Sequence, residues 1–576
     1  MNRSFLFFNV IFILLNSNLL FPQVENDTLK TLQVTVIKSY TPSLSDAFLI
    51  PSIPKVNDSI YIKKNKLNYN LLENQIISTF VPNKAKPLKL IRQKNQSLFN
   101  TSFYSGIGNQ GQLSLRVISL ISLDRNQSFG YFIDRHGYSK DIPNSKVRSN
   151  QNSIFIGANH ILKTNELRSD SKLSFGLNKN NYYGIYNDDL NEIMIKNIDP
   201  LISISHLSIQ NNFIFYDNII NSLEFKINNT SDNFDSSEQQ VNFLVNLKVP
   251  ISRSYLIAQI KLNGLNSRFQ EDFFTKNSID SKYLNTGAKI EWVSLNSNYK
   301  IKIGAKFDYF DRSSFFKTKL KYYPNIYFEY NKNQNFIPYL VSDGKLILNT
   351  YFMSGYENPF LAPIFKLKPT SKNYNSRIGL KSIIYSNIEF DFSVGYDEIE
   401  NFSLYKRLPF DLNRENYSYA LSNAYQIEYR DLSLIDFIVK FKLNFGNENK
   451  FLFEVNYTSY DSKKDYPLWN LPSISMKFEN QINLTKRINL YFNSYVLGDR
   501  DSVDWVYLLN QDPDKSQYQI KSLPIFYSLN MKVNYKLIDE FDVNVSINLN
   551  EKNGKWSNFV RHKSLILFGA CYKFNL

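Results

Sequence analysis

The chain of 576 residues is 43% hydrophobic and 15% aromatic, with 39 Tyr, 46 Phe, one Cys and a net charge of +15. That profile excludes a disordered, collagen-like or disulfide-stapled protein. Mean hydropathy is -0.34, and beyond Leu15 no apolar run approaches the ~18–20 residues of a membrane helix, so a helical bundle in the membrane is excluded.

In chain order, Met1-Asn2-Arg3 precedes the apolar stretch from Phe5 to Leu15, polar Asn16-Ser17-Asn18 and a short apolar patch ending at Pro22-Gln23. A charged start before so short an apolar core predicts a secretory signal peptide over 1–23, cleaved near Gln23. Cys571 is the single cysteine, which removes an intramolecular disulfide and leaves no thiol after the signal for a lipid anchor. The basic residues are scattered rather than gathered, which in an exported chain fits anionic headgroups, anionic solutes or a solvated surface, and not nucleic acid.

Residues 24–98 hold Pro42, Pro51, Pro54, Pro82 and Pro87 between short apolar pieces. Proline at that density breaks helices and central strands, so an extended, irregular segment is expected, periplasmic or lumenal in position. From 99 to 576 the pattern is period two. Val241, Phe243, Val245, Leu247 and Val249 alternate up to a break at Pro250, and Tyr299 to Tyr309 does the same. Ser386-Asn387 leads into Ile388, Phe390, Phe392, Val394 and Tyr396. Phe437 to Phe445 returns through Phe451 to Tyr457, and Ile474 to Leu484 returns through Ile488 to Phe492. Ile525 to Leu537 and Phe541 to Leu549 flank Ile538-Asp539-Glu540, a hairpin signature.

Alternation over roughly nine to thirteen residues exceeds the strands of soluble sheets and matches a tilted strand crossing a bilayer. Connections are unequal, some very short and others long and polar, as at 141–150, 188–199, 270–281 and 461–466. The expected fold is all-β: a transmembrane antiparallel β-barrel of the outer membrane over 99–576, with 16 to 22 strands. Charged side chains cost a few kcal/mol each on a lipid face, so the polar face must line a lumen. Lys300, Lys302, Lys306, Glu389, Asp391, Lys440, Lys442, Glu454 and Lys532 are the expected lumen residues, and their excess of lysine predicts a preference for anions. Tyr182-Tyr183, Tyr322-Tyr323, Trp469 and Trp505 are expected at strand ends, at headgroup level. Tyr572, Phe574 and Leu576 mark a terminal strand that closes the barrel.

Little points to chemistry. Gly106 to Gly111 fits G-x-G-x-x-G, but an alternating strand follows where dinucleotide binding needs a helix, so turn glycines are expected. His136, His160, His206 and His562 fall on different strands or strand ends, and with one Cys there is no metal-ligand spacing. A barrel lipase is the enzyme alternative, but His136 and Ser139 meet only if Gly137 bends the strand. Asp188-Asp189 and Asp499-Arg500-Asp501 read as solvated loop charge or aids to a divalent ion. No catalytic residue, cofactor or metal is expected.

Ser39-Tyr40-Thr41-Pro42-Ser43-Leu44-Ser45-Asp46-Ala47-Phe48, Ile53-Pro54, Ser78-Thr79-Phe80-Val81-Pro82, Tyr104 to Asn109 and Phe129 to Phe132 followed by His136 resemble TonB-dependent-receptor-like outer-membrane barrels of Bacteroidota. Leu32 to Ile37 faintly resembles an energy-coupling box, and 24–98 is shorter than a standard plug. The resemblance implies a receptor or channel for an unidentified solute, with outer-membrane lipid and other outer-membrane or periplasmic proteins as partners. The alternative is a non-conducting structural subunit of an outer-membrane assembly.

Overall fold

The computed structural model describes residues 99–185, 192–271, 277–311, 316, 318–364, 366–410, 418–446, 448–462, 468–506, 517–551, 554–556 and 559–576. The expected signal peptide, the segment 24–98 and the Asp188-Asp189 pair lie outside them. The strands are β1 (Thr101–Gly108), β2 (Gln112–Ser122), β3 (Gln127–Tyr138), β4 (Gln151–Lys163), β5 (Leu167–Asn181), β6 (Leu201–Phe215), β7 (Ile220–Asp232), β8 (Ser237–Ile251), β9 (Ser254–Glu271) and β10 (Ser278–Leu295). They continue as β11 (Tyr299–Phe310), β12 (Leu320–Tyr330), β13 (Ile337–Asp343), β14 (Lys345–Ile347), β15 (Thr370–Ile384), β16 (Ile388–Arg407), β17 (Tyr425–Phe445), β18 (Asn449–Ser462), β19 (Ile474–Asn483) and β20 (Ile488–Leu497). Last come β21 (Arg500–Val506), β22 (Gln517–Leu523), β23 (Phe526–Lys536), β24 (Phe541–Asn550) and β25 (Ser564–Phe574). Two short helices, α1 (Glu192–Asn197) and α2 (Tyr351–Glu357), lie in connections.

Antiparallel pairing passes from each strand to the next, skips the β21–β22 hairpin, and returns from β25 to β1, with Phe103 opposite Tyr572. β13 and β14 are one stave interrupted at Gly344, because both pair with β15. The described residues thus form a closed 22-strand barrel, the upper end of the expected range. Closure pairs every strand on both sides, which leaves no edge and satisfies the backbone without solvent.

Alternation assigns the faces. Ile303, Phe307, Phe390, Phe392, Phe437, Val439, Met531 and Val533 are exposed, whereas Asp308, Glu329, Asp397 and Asp436 on the opposite face are buried. One end of the barrel carries short connections such as 164–166, 252–253, 296–298 and 385–387; the other carries long ones at 139–150, 182–200, 348–369, 408–424, 498–525 and 551–563.

Three sequence expectations change. β8 continues through Pro250, whose only ladder partner is Tyr255 of β9, since pairing with β7 ends at Leu247. The missing N–H therefore interrupts no ladder. β9 and β10 extend into the expected 270–281 loop, and β18 takes in Asp461. The aromatic pairs are not a girdle: Tyr182, Tyr183, Tyr323 and Trp469 are buried, and only Tyr322 stands exposed. Trp505 lies in β21. Tyr322 and Tyr323 part because neighbouring strand residues face opposite ways.

Those buried aromatics belong to a cap. The main hydrophobic cluster draws on the long connections and the strand ends beside them, gathering Ile142, Tyr182, Tyr351, Leu361, Tyr419 and Phe559 among others. Tyr182 donates its hydroxyl to the Leu361 carbonyl at 2.8 Å, Tyr183 donates to Val560 at 2.8 Å, and Asn423 donates to the Tyr182 carbonyl at 2.7 Å. Burial pushes the Tyr182 hydroxyl well above its ordinary pKa, so it remains a donor. Loops from separated parts of the rim therefore meet over the opening. The β21–β22 hairpin joins them, with Val503 against Trp469 and Leu404. Arg500, expected in an acidic loop, is instead a buried strut donating to the Pro524 and Lys555 carbonyls at 3.1 and 2.9 Å.

Candidate functional site

The polar face divides into two kinds of wall. Across β15 to β19 charges alternate in register: Lys381 opposite Asp391, Asp391 opposite Lys440, Lys440 opposite Glu454, and Glu454 opposite Lys477. Lys440 reaches Glu454 at 3.2 Å and Lys442 reaches Glu389 at 3.1 Å, while Asp391 accepts the Tyr339 hydroxyl at 2.7 Å. On β11, Lys300 binds Glu329 at 2.8 Å, Lys306 binds Asp343, and Lys302 lies 5.9 Å from the Tyr327 ring. The expected lysines thus fall largely into ion pairs, and the acids that neutralise Lys300 and Lys306 come from strands whose register no sequence spacing reveals.

Glycine makes room for some of these pairs. Arg377, Gly395 and Asp436 stand side by side on three strands, and Arg377 Nη2 reaches Asp436 at 2.6 Å across the glycine. A Cβ at Gly395 would lie 2.2 Å from Asp436 Oδ1. Gly287 plays the same part beneath Lys261 and Asp308, paired at 2.8 Å.

The second wall is amide-rich. On β20, β23 and β24, Asn493, Asn530 and Asn548 form one rung, and Asn489, Asn534 and Asn544 another. Between them sit Tyr491, Lys532 and Ser546. Lys532, 5.7 Å from the Tyr104 ring, is therefore separate from the other expected lumen residues. Tyr104 crosses Gly569 to donate to Asn544 Oδ1 at 3.3 Å. This wall lines a cavity of about 740 Å³ that also touches Arg116, Leu567 and Asp542. A second cavity of about 250 Å³, against the underside of the cap, shares Asn548 and Leu565 and reaches Arg561 and His562. The run of Asn and Ser at alternate positions of β23 and β24 was visible in the sequence, but that three strands would bring it into one surface was not.

The remaining motifs resolve locally. Gly108 to Gly111 is a tight turn between β1 and β2, with φ of 57° at Gln110 and 65° at Gly111. β3 pairs through Gly137 without a register shift, so the strand does not bend there. His136 Nδ1 lies 3.2 Å from Asp134, and Ser139 donates to the Gly111 carbonyl at 3.4 Å. His206 stacks on Phe352 with centroids 3.8 Å apart, and His562 meets the Tyr138 ring edge-on at 4.9 Å. Among the described residues, no three His, Cys, Asp or Glu side chains gather as a metal site.

No family model and no curated protein matches the chain. Solved structures do. The siderophore receptor PirA from Acinetobacter baumannii superposes with a TM-score of 0.60 at 12% identity, covering 82% of this chain and 80% of that one. The FrpB iron transporter from Neisseria meningitidis gives 0.58 at 11%, covering 82% and 81%. The copper transporter OprC gives 0.56 at 11%, covering 82% and 80%. The chain shares the barrel fold of these receptors and transporters.

Proposed function

We propose that the chain is an outer-membrane β-barrel receptor or channel, of the TonB-dependent-receptor-like group of Bacteroidota suggested by residues 39–137, that passes a solute across the bilayer. The observation that carries this reading is the closed 22-strand barrel with an apolar outer face and a polar inner one holding two cavities. An apolar band on alternate residues is what lipid requires, and a polar inner face is what a hydrated path requires. Lys300, Lys302, Lys306, Glu389, Asp391, Lys440, Lys442, Glu454 and Lys532 would line that path. Residues 1–23 would direct export and 24–98 would restrict the barrel from the lumen or the periplasmic mouth. The solved neighbours are named as siderophore, iron and copper receptors or transporters, which supports transport and not catalysis.

The packed cap favours a second reading, a non-conducting structural subunit of an outer-membrane assembly, because loops that bury their aromatics against one another obstruct the opening. Planar-bilayer recordings with and without residues 24–98 decide between them. Conductance in either form supports passage; silence in both, with stable co-purification of outer-membrane partners, supports the structural subunit.

A further inference from the structure

We infer that the outer face of β3 to β5, at the long-loop end, is a binding site for the phosphorylated headgroup of a membrane lipid. The inference concerns the outside of the barrel: it takes from the proposed function only the placement in the outer membrane, and it stands whether or not the lumen passes a solute. On that face Ile133, Ile156, Phe175 and Leu207 lie side by side on β3, β4, β5 and β6, each between 38% and 45% exposed. Two residues further towards the long loops the same face carries Arg135, and two further still it carries Asn152 opposite Lys179. Apolar side chains therefore give way to cations and amides within about 13 Å of strand. Outer-membrane barrels keep short turns in the periplasm and long loops outside, so this step falls at the headgroup level of the outer leaflet.

The charges on this face select the ligand. Lys179, Asn152 and Arg148 line a pocket of about 150 Å³ together with Asn150, Asn181 and Leu201. At ~30 Å³ per water that is the share of about five waters, enough for one phosphate group. Asn181 is already committed, donating to the backbone and side-chain oxygens of Asn150 at 2.5 and 2.9 Å. Arg148 lies 2.9 Å from Asp199, but the two side chains are 67% and 68% exposed; such a pair is weak, and the guanidinium keeps N–H groups for a second acceptor. Lys179 and Arg135 are exposed and meet no acid among the described residues. A phosphate monoester brings close to two negative charges and three acceptor oxygens, which suits two guanidinium forks and an ammonium. Its acyl chains then descend over Ile133, Ile156 and Phe175, whereas a choline headgroup sets its own cation against theirs. The arrangement is local to this arc. Across the barrel, one step beyond the exposed Tyr396 and Ile435, the outward positions of β16, β17 and β18 are Glu398, Ser433 and Asp461, and acids there repel a phosphate.

The test is native mass spectrometry of the full detergent-solubilised chain titrated with an acylated glucosamine disaccharide that bears phosphates, the same lipid without them, phosphatidylcholine, and inorganic phosphate. The phosphorylated lipid should bind at least about tenfold more tightly than its phosphate-free form and than phosphatidylcholine, and Arg148→Gln with Lys179→Gln should weaken it at least about tenfold. Where that double variant does not fold, Arg135→Gln serves, with a loss of about fivefold; the comparison of lipids needs no variant. Equal binding of the lipids with and without phosphates leaves only an apolar annulus and overturns the inference. So does undiminished binding by a folded variant, or an equal loss from Lys486→Gln at the short-turn end, which reads net charge alone. Displacement of the lipid by an equimolar amount of inorganic phosphate assigns the pocket to a soluble anion and overturns it as well. Lipid binding by a protein that conducts nothing removes the passage reading and leaves this one standing; conductance without lipid binding does the reverse.

Discussion

Truncating Phe559 separates the cap from the barrel. Phe559 is 1% exposed and stacks on Phe360 with ring centroids 3.5 Å apart. Tyr183 meets Phe360 and Phe559 edge-on at 5.4 and 5.3 Å, and its hydroxyl holds the neighbouring Val560 carbonyl at 2.8 Å. Phe559→Ala removes the ring from a site enclosed by other loops, a loss of about 3–5 kcal/mol. Among the described residues, Phe559's one ring contact on a strand is Tyr425 at the start of β17, with centroids 6.0 Å apart, so most of the cost falls on cap closure and little on the barrel. Since ~1.4 kcal/mol is tenfold in an equilibrium, the opened fraction should rise between about 10² and 10⁴-fold. Amide hydrogen exchange at 182–185 and 359–364 should accelerate accordingly, while exchange in the strands and the denaturation midpoint of the barrel stay near the parent values. If the passage reading holds, the open probability in bilayers rises with the exchange rate. Unchanged cap exchange, or a barrel midpoint that falls by the full 3–5 kcal/mol, would refute the view of the cap as an independent unit.

Gly395→Ala should cost about 2–4 kcal/mol in urea titration, because the new methyl displaces the Arg377–Asp436 pair; in an Arg377→Gln, Asp436→Asn background most of that penalty should vanish. Tyr385 and Ser386 hold φ of 52° and 60° in the β15–β16 turn, so Tyr385→Asn with Ser386→Gly should stabilise by about 1 kcal/mol, and a loss of stability would contradict the turn assignment. Burial holds the His562 imidazole below its ordinary pKa of 6.5, against opposing effects of the Lys140 carbonyl and Asp141. A depressed value means that the unfolded chain takes up the proton first, so cap stability should be full above 6.5 and decline as pH falls towards the folded value. Arg561 and Tyr138 face the same pocket, and His562→Gln should flatten the exchange-versus-pH profile of the cap if the histidine is responsible. Because Lys381, Asp391, Lys440, Glu454 and Lys477 alternate in sign, reversal potentials in a salt gradient should show weak selectivity, in place of the anion preference that counting lysines suggests.

Much of the barrel was legible because its signal is local. Phe541, Val543, Val545, Ile547 and Leu549 need no partner to declare an extended, two-faced strand, and Ile538-Asp539-Glu540 declares the turn before it. The closing role of Tyr572 and Phe574 followed likewise, and β25 does pair with β1. The aromatic pairs misled for the same reason. Tyr182 and Tyr183 look like a girdle by position alone, but whether a ring at a strand end meets lipid or another loop depends on where the loop folds.

Composition and periodicity thus settled the architecture: alternating residues impose one face for lipid and one for water on any strand long enough to cross. Tertiary structure settled what the faces contain. Register set Lys440 against Glu454 and Lys442 against Glu389, gathered asparagines from β20, β23 and β24 into one wall, and brought loops from separate hairpins into a common core. Each of those outcomes joins residues far apart in the chain, and a pattern of period two carries no information about which strand lies next to which, or at what offset.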